Sequence, residues 1–240
     1  MTAPLVIEPR FCGPPDSGNG GYVCGLIADR LGGQAEITLR APPPLATPMT
    51  VDSGAGDSVR VLHGRTLVAE GTRSPVSLDV EPPGPVSVGE ARAAGAKSRL
   101  RTHPDEHPFP SCFVCGPHRQ AGDGLRILVG PVADRDLSAD VWYPDKSLAG
   151  PDGNLRPEFV WAALDCAGAL GALGGALGAS PYVLGQFSAR QTRPVKTGEP
   201  HVVTGWHLAE DGRKLFAGTA LFTAAGQVAG LARATWIRLK

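Results

Sequence analysis

Between Gly20 and about Leu31, apolar Val23, Leu26, Ile27 and Leu31 recur at three- and four-residue spacing. This spacing predicts a helix, and Gly32-Gly33 can end it. Strand-like segments follow at 35–40, 49–51, 58–63, 65–72 and 76–80, with His63-Gly64-Arg65 as a turn. Glu81-Pro82-Pro83-Gly84-Pro85 breaks regular structure, and 86–110 holds a short helical stretch over 89–100 and a Pro/His-rich connection. Beyond it, a strand over 136–142 precedes a polar loop and a second helix, expected from Pro157 to about Leu177. Alternating segments then run over 183–193, 201–209, 214–224 and 228–237. Asp211-Gly212 and Ala225-Gly226 form hairpin turns between three of them, so the sheet is antiparallel.

The two halves repeat one plan. A helix begins near Gly18-Asn19-Gly20-Gly21 or at Arg156-Pro157, and a later strand ends at Arg40-Ala41-Pro42 or Arg193-Pro194. This predicts an α+β fold of two halves, 1–85 and 111–240, joined by a linker over 86–110. The second helix is rich in Ala and Gly, which weakens it by about 1 kcal/mol per glycine relative to alanine. Close wrapping by a sheet would account for so many small residues.

Composition narrows the function. Of 240 residues, 23 are basic and 23 acidic, with no basic run, which argues against nucleic acid as the main partner. Hydrophobic content of 42% and charged content of 19% are those of a soluble globular protein. No apolar stretch reaches membrane-spanning length and the N-terminus lacks signal-peptide features, so a cytoplasmic location is expected. Five cysteines, an odd number, do not suggest a disulfide framework.

Three features offer chemistry. Gly18-Asn19-Gly20-Gly21 at a helix start presents backbone N–H groups and the positive end of the helix dipole, which suit an oxyanion. It also reads simply as an Asn19 N-cap with a glycine turn. Asp165 lies in an otherwise apolar helix, where an unpaired carboxylate needs a partner or a job unless its face is exposed or at the interface of the halves. Glu158, in the first turn of that helix, suits the dipole. His103-x3-His107-x4-Cys112-x2-Cys115-x2-His118 has zinc-ligand types, but one Cys-x-x-Cys is a weak signal and structural packing is the preferred reading. Cys24 and Cys166 read as buried small hydrophobes. No Gly-x-Ser-x-Gly elbow and no phosphate-binding glycine loop are present.

Asn19-Gly20-Gly21-Tyr22 and its apolar helix resemble the His-Gly-Gly helix start of hotdog acyl-CoA thioesterases. Cys112-Phe113-Val114-Cys115-Gly116, followed by Gly124-Leu125, resembles the opening of thioesterase-like hotdog domains. Arg193-Pro194-Val195 with Gly198-Glu199, and then 229–236, resembles their sheet. One departure stands out: the family's histidine is Asn19 here. The resemblance implies a double hotdog, each half one long helix wrapped by a curved antiparallel sheet, that hydrolyses an acyl-CoA or related acyl thioester. It implies Asp165 as base for water or as nucleophile, with Asn19, Gly20 and Gly21 orienting and polarising the substrate. Glu158, Tyr22 and Arg193 are expected to bind substrate, with Arg126 or Arg190 as other candidates for the CoA phosphates. No cofactor or metal is required by that chemistry, and self-association as a homodimer is expected. The first rival reading is a non-catalytic module that binds an acyl chain or CoA, and the second a structural or zinc-stabilised interaction protein.

Overall fold

The computed structural model describes residues 3–53, 57–73, 78–175 and 180–240. Helix α1 (Gly20–Asp29) is capped by Asn19, whose side-chain oxygen accepts the Tyr22 N–H. Strands β1 (Ala35–Leu39), β2 (Thr50–Ser53), β3 (Ser58–His63) and β4 (Thr66–Arg73) follow. Gly64, at φ 59°, makes the expected turn between β3 and β4. The strand expected over 76–80 falls partly outside the described residues, and 78–80 form none.

The segment read as a linker is structured. It contains α2 (Val88–Ala96), started by a reciprocal Ser87–Glu90 capping box, and the short α3 (Arg99–Thr102). Next come β5 (Gly130–Pro131), β6 (Ser138–Trp142), α4 (Pro157–Ala163) and α5 (Cys166–Ala172). Four long strands complete the chain: β7 (Tyr182–Gln191), β8 (His201–Asp211), β9 (Lys214–Thr223) and β10 (Val228–Arg238).

The ten strands of the described residues join one sheet in the order β2-β3-β4-β1-β7-β10-β9-β8-β6-β5, and every pairing between them is antiparallel. The halves meet where β1 pairs β7, with Ile37 opposite Phe187. Side chains alternate across the strands. In β8, Val203 joins the main core with α1, α4 and α5, while Val202 joins a second core beneath α2. Helix α2 therefore covers the opposite sheet face from α5. Among the described residues no helix is long and apolar enough to cross a membrane.

The single long helix expected from Pro157 is corrected to two short ones. Helix α4 lies against α1, whereas α5 lies against β8 and β9, and the chain turns between them at Leu164-Asp165. Among the described residues of the first half, only the ten-residue α1 is a helix on this core face. Glycines permit both crossings. A Cβ at Gly25 would lie 2.7 Å from the Glu158 Cα, and one at Gly171 only 2.2 Å from the Gly205 backbone. The small residues of the second helix thus permit contact of backbone with backbone.

Candidate active site

The α1 and α4 crossing brings the beginning of one helix to the break in the other. Asp165 sits at that break, 1% exposed, with φ −78° and ψ −88°. Its Oδ2 accepts two hydrogen bonds of 2.9 Å, from the Gly21 backbone N–H and the Asn19 side-chain amide. Asn19 divides its amide between two tasks: Oδ1 caps α1 and Nδ2 holds the carboxylate. The second carboxylate oxygen, Oδ1, is buried and has no hydrogen-bond partner among the described residues. Burial pushes the Asp165 carboxyl up to about 7, against the lowering effect of the Gly21 N–H; negative charge at Cys112 raises it further and the Asn19 amide lowers it.

Asp165 lines a cavity of about 520 Å³, which draws its wall from both halves. Leu39 comes from the first half, and Leu170, Tyr182, Leu184, Trp236 and Ile237 come from the second. Asn19, Asp165, His107, Cys112, Cys115 and Cys166 are among its polar lining residues, with Ser17, Arg40 and Ser180. An apolar chamber with a few convergent polar groups is the usual form of a small-molecule site.

The structure thus brings together Asp165, Asn19, Gly20 and Gly21. It also divides the two glycines: the Gly21 N–H is committed to Asp165, whereas that of Gly20 has no acceptor among the described residues. Tyr22, Glu158 and Arg193 lie elsewhere. Tyr22 stacks on Phe11 with ring centroids 4.3 Å apart, inside an aromatic cluster with Phe113 and Phe159. Glu158 pairs with Arg156 at 3.4 Å, and its backbone packs on Gly25. Arg193 borders a separate shallow groove with Asp152 and Arg156, and neither Arg126 nor Arg190 lines the main cavity.

Sequence reasoning singled out Cys112 and Cys115 but did not join Cys166 to them. Cys112, Cys115 and Cys166 place their sulfurs within 4.8 Å of one another beside Asp165. Cys112 is the thiol held low, by its Cys115 and Cys166 neighbours, despite burial. Hydrogen bonding to Cys112, then burial and that neighbouring charge, push the other two up. Cys24, grouped with Cys166 in the sequence reading, is buried in α1 outside this cluster. The Cys-x-x-Cys spacing was the visible signal; Cys166, more than 50 residues on, gave none.

No protein-family model matches the chain, and no curated protein matches it in sequence. Several solved structures share its fold over nearly their whole length. A candidate thioesterase from Novosphingobium aromaticivorans superposes with a TM-score of 0.59 at 14% identity, covering 99% of this chain and 95% of its own. A TesB protein from Mycobacterium avium subspecies paratuberculosis gives 0.58 at 11% identity, with 93% and 88% covered. A candidate thioesterase II from Thermobifida fusca gives 0.58 at 13% identity, with 99% and 92% covered. At these identities the likeness is one of fold, and the fold of this chain is that of hotdog thioesterase-like proteins.

Proposed function

We propose that this chain is a fused double hotdog that hydrolyses an acyl thioester, with acyl-CoA as the substrate type. The observation that carries the reading is Asp165: one carboxylate oxygen is anchored by Gly21 and Asn19, while the other is buried, unpaired and at a cavity wall. A buried polar oxygen without a partner costs about 1–3 kcal/mol, a cost that a catalytic base accounts for.

In this mechanism the acyl group occupies the apolar wall by Leu170, Leu184 and Trp236. The Gly20 N–H, at the positive end of α1, donates to the thioester oxygen as charge develops there. Asp165 Oδ1 takes a proton from water as the water oxygen attacks the carbonyl carbon. Collapse of the tetrahedral intermediate breaks the carbon–sulfur bond. The proton then passes to the departing thiolate, and the free acid leaves. Gly21 acts by positioning Asp165, since its N–H is already used.

The second reading, a binding module, draws support from Asn19 at the position where related enzymes carry histidine. Thiol release from short, medium, long and aromatic acyl-CoAs, with wild type beside Asp165→Asn, separates the two. We expect turnover on at least one substrate and a drop of about 10²–10⁴-fold in the variant. Absence of release from every ester, with esters still raising the melting temperature, would replace the hydrolase with the binding module.

A further inference from the structure

Cys112 and Cys115 come from the segment that enters the second half, and Cys166 opens α5. The three sulfurs lie within 4.8 Å of one another, and Cys112 and Cys166 are 3.8 Å apart. Around a tetrahedral Zn²⁺ with Zn–S bonds of about 2.3 Å, neighbouring sulfurs stand about 3.8 Å apart. The same spacing is therefore present between two segments that are distant in sequence. All three cysteines are buried.

The backbone around the pair is built as a metal-binding turn would be. Cys112-Phe113-Val114-Cys115 closes tightly, and the Gly116 N–H donates to the Cys112 carbonyl at 2.9 Å. Only glycine fits next: a Cβ there would stand 2.3 Å from the Cys112 oxygen.

His107 completes the surroundings without being a ligand. Its Nδ1 accepts the Phe109 N–H at 2.9 Å, so Nε2 carries the proton and donates to the Cys115 sulfur at 3.1 Å. The Asn19 amide lies 3.9 Å from both the Cys112 and Cys166 sulfurs. These donors orient the sulfurs as outer groups orient metal ligands.

We propose that Cys112, Cys115 and Cys166 together bind one thiophilic divalent cation, Zn²⁺ by chemistry, at the cavity wall. All three residues line the cavity, so the fourth coordination position is available to water or another small ligand from that side. As the metal binds, thiol protons leave to solvent and three sulfur–metal bonds form. The site clamps the segment carrying Cys112 to the start of α5, next to Asp165. It requires none of the hydrolase chemistry above.

The test uses the full chain, prepared without a polyhistidine tag and kept reduced. Elemental analysis is expected to find one zinc per chain. Titration of the metal-free protein with Co²⁺ should produce a thiolate-to-metal charge-transfer band and the visible absorption of tetrahedral cobalt. Cys112→Ser should lose that spectrum, while Cys24→Ala, outside the cluster, should keep it. If Cys112→Ser does not fold, the wild-type cobalt spectrum and zinc content decide alone. Reduced wild type that takes up neither ion, or a Cys112→Ser protein that retains the full spectrum, would overturn the site. A metal-free yet active protein would remove the metal and leave the hydrolase; a zinc-loaded protein inert on all esters would do the reverse.

Discussion

Asn19 serves two elements at once, as the cap of α1 and as a donor to the carboxylate at the end of α4. Replacing it with alanine removes the cap, worth about 1 kcal/mol, and takes from Asp165 Oδ2 one of its two 2.9 Å hydrogen bonds. Loss of a bond to a buried carboxylate adds about 1–3 kcal/mol. Asn19→Ala is therefore expected to lose about 2–4 kcal/mol in urea denaturation and to lower kcat more than it raises KM. A variant with wild-type stability would mean that Asp165 does not depend on this amide. At this scale the sequence was legible where chemistry is local. The cap followed from Asn before a helix, and Asp165 stood out as an acid among apolar neighbours. The identity of its partners was not legible, because Asn19 and Gly21 are nearly 150 residues away in the chain.

Elements meet here through backbone rather than through side chains. Gly205 of β8 faces α5 so closely that a Cβ would stand 1.8 Å from the Ala167 carbonyl oxygen. Gly205→Ala must push α5 away from the sheet, and with it Cys166 and the neighbouring Asp165. We expect a loss of about 2–3 kcal/mol in chemical denaturation, in the range of overpacked cores. An unchanged denaturation midpoint would show that α5 shifts freely. The three long hairpin strands were readable from their alternation and Gly turns, since both are local signals. The division of the second helix was not. Its apolar and small residues continue through Leu164-Asp165, and only the change of partner from α1 to β8 and β9 makes the break.

Across the whole molecule, Asp140 of β6 ties the segment between the halves to the second half. Its Oδ2 accepts from Arg101 at 2.7 Å and from the Leu128 N–H at 2.8 Å, while Oδ1 accepts from the Val141 N–H at 2.9 Å. Arg101 also donates to the Gly95 carbonyl at the end of α2. Asp140→Ala would leave buried N–H groups unpaired. Arg101 is partly exposed and can turn to water, so the expected cost is about 2–3 kcal/mol rather than that of a fully buried pair. The measurement is a urea midpoint, and a shift equal to that of an ordinary surface substitution would remove this tie from the account. The short helix within 86–110 was legible over 89–100, but the Pro/His-rich stretch after it made the whole region read as a connection. The packing of α2 on the back of β6 is visible only in three dimensions.

The sequence by itself determined most of the strands, the tight turns, the capped start of α1 and the presence of one acid and one Cys-x-x-Cys worth explaining. Each of these depends on residues within a few positions of one another, where periodicity, turn chemistry and capping act. Only the tertiary structure decided that β1 pairs β7 to make one sheet, that the carboxylate meets the other half's helix start, and that Cys166 joins Cys112 and Cys115. The physical reason is that a site made between distant segments depends on which backbones can approach closely. That is set by the crossing of α1 over α4 and of α5 over β8, which no local pattern encodes.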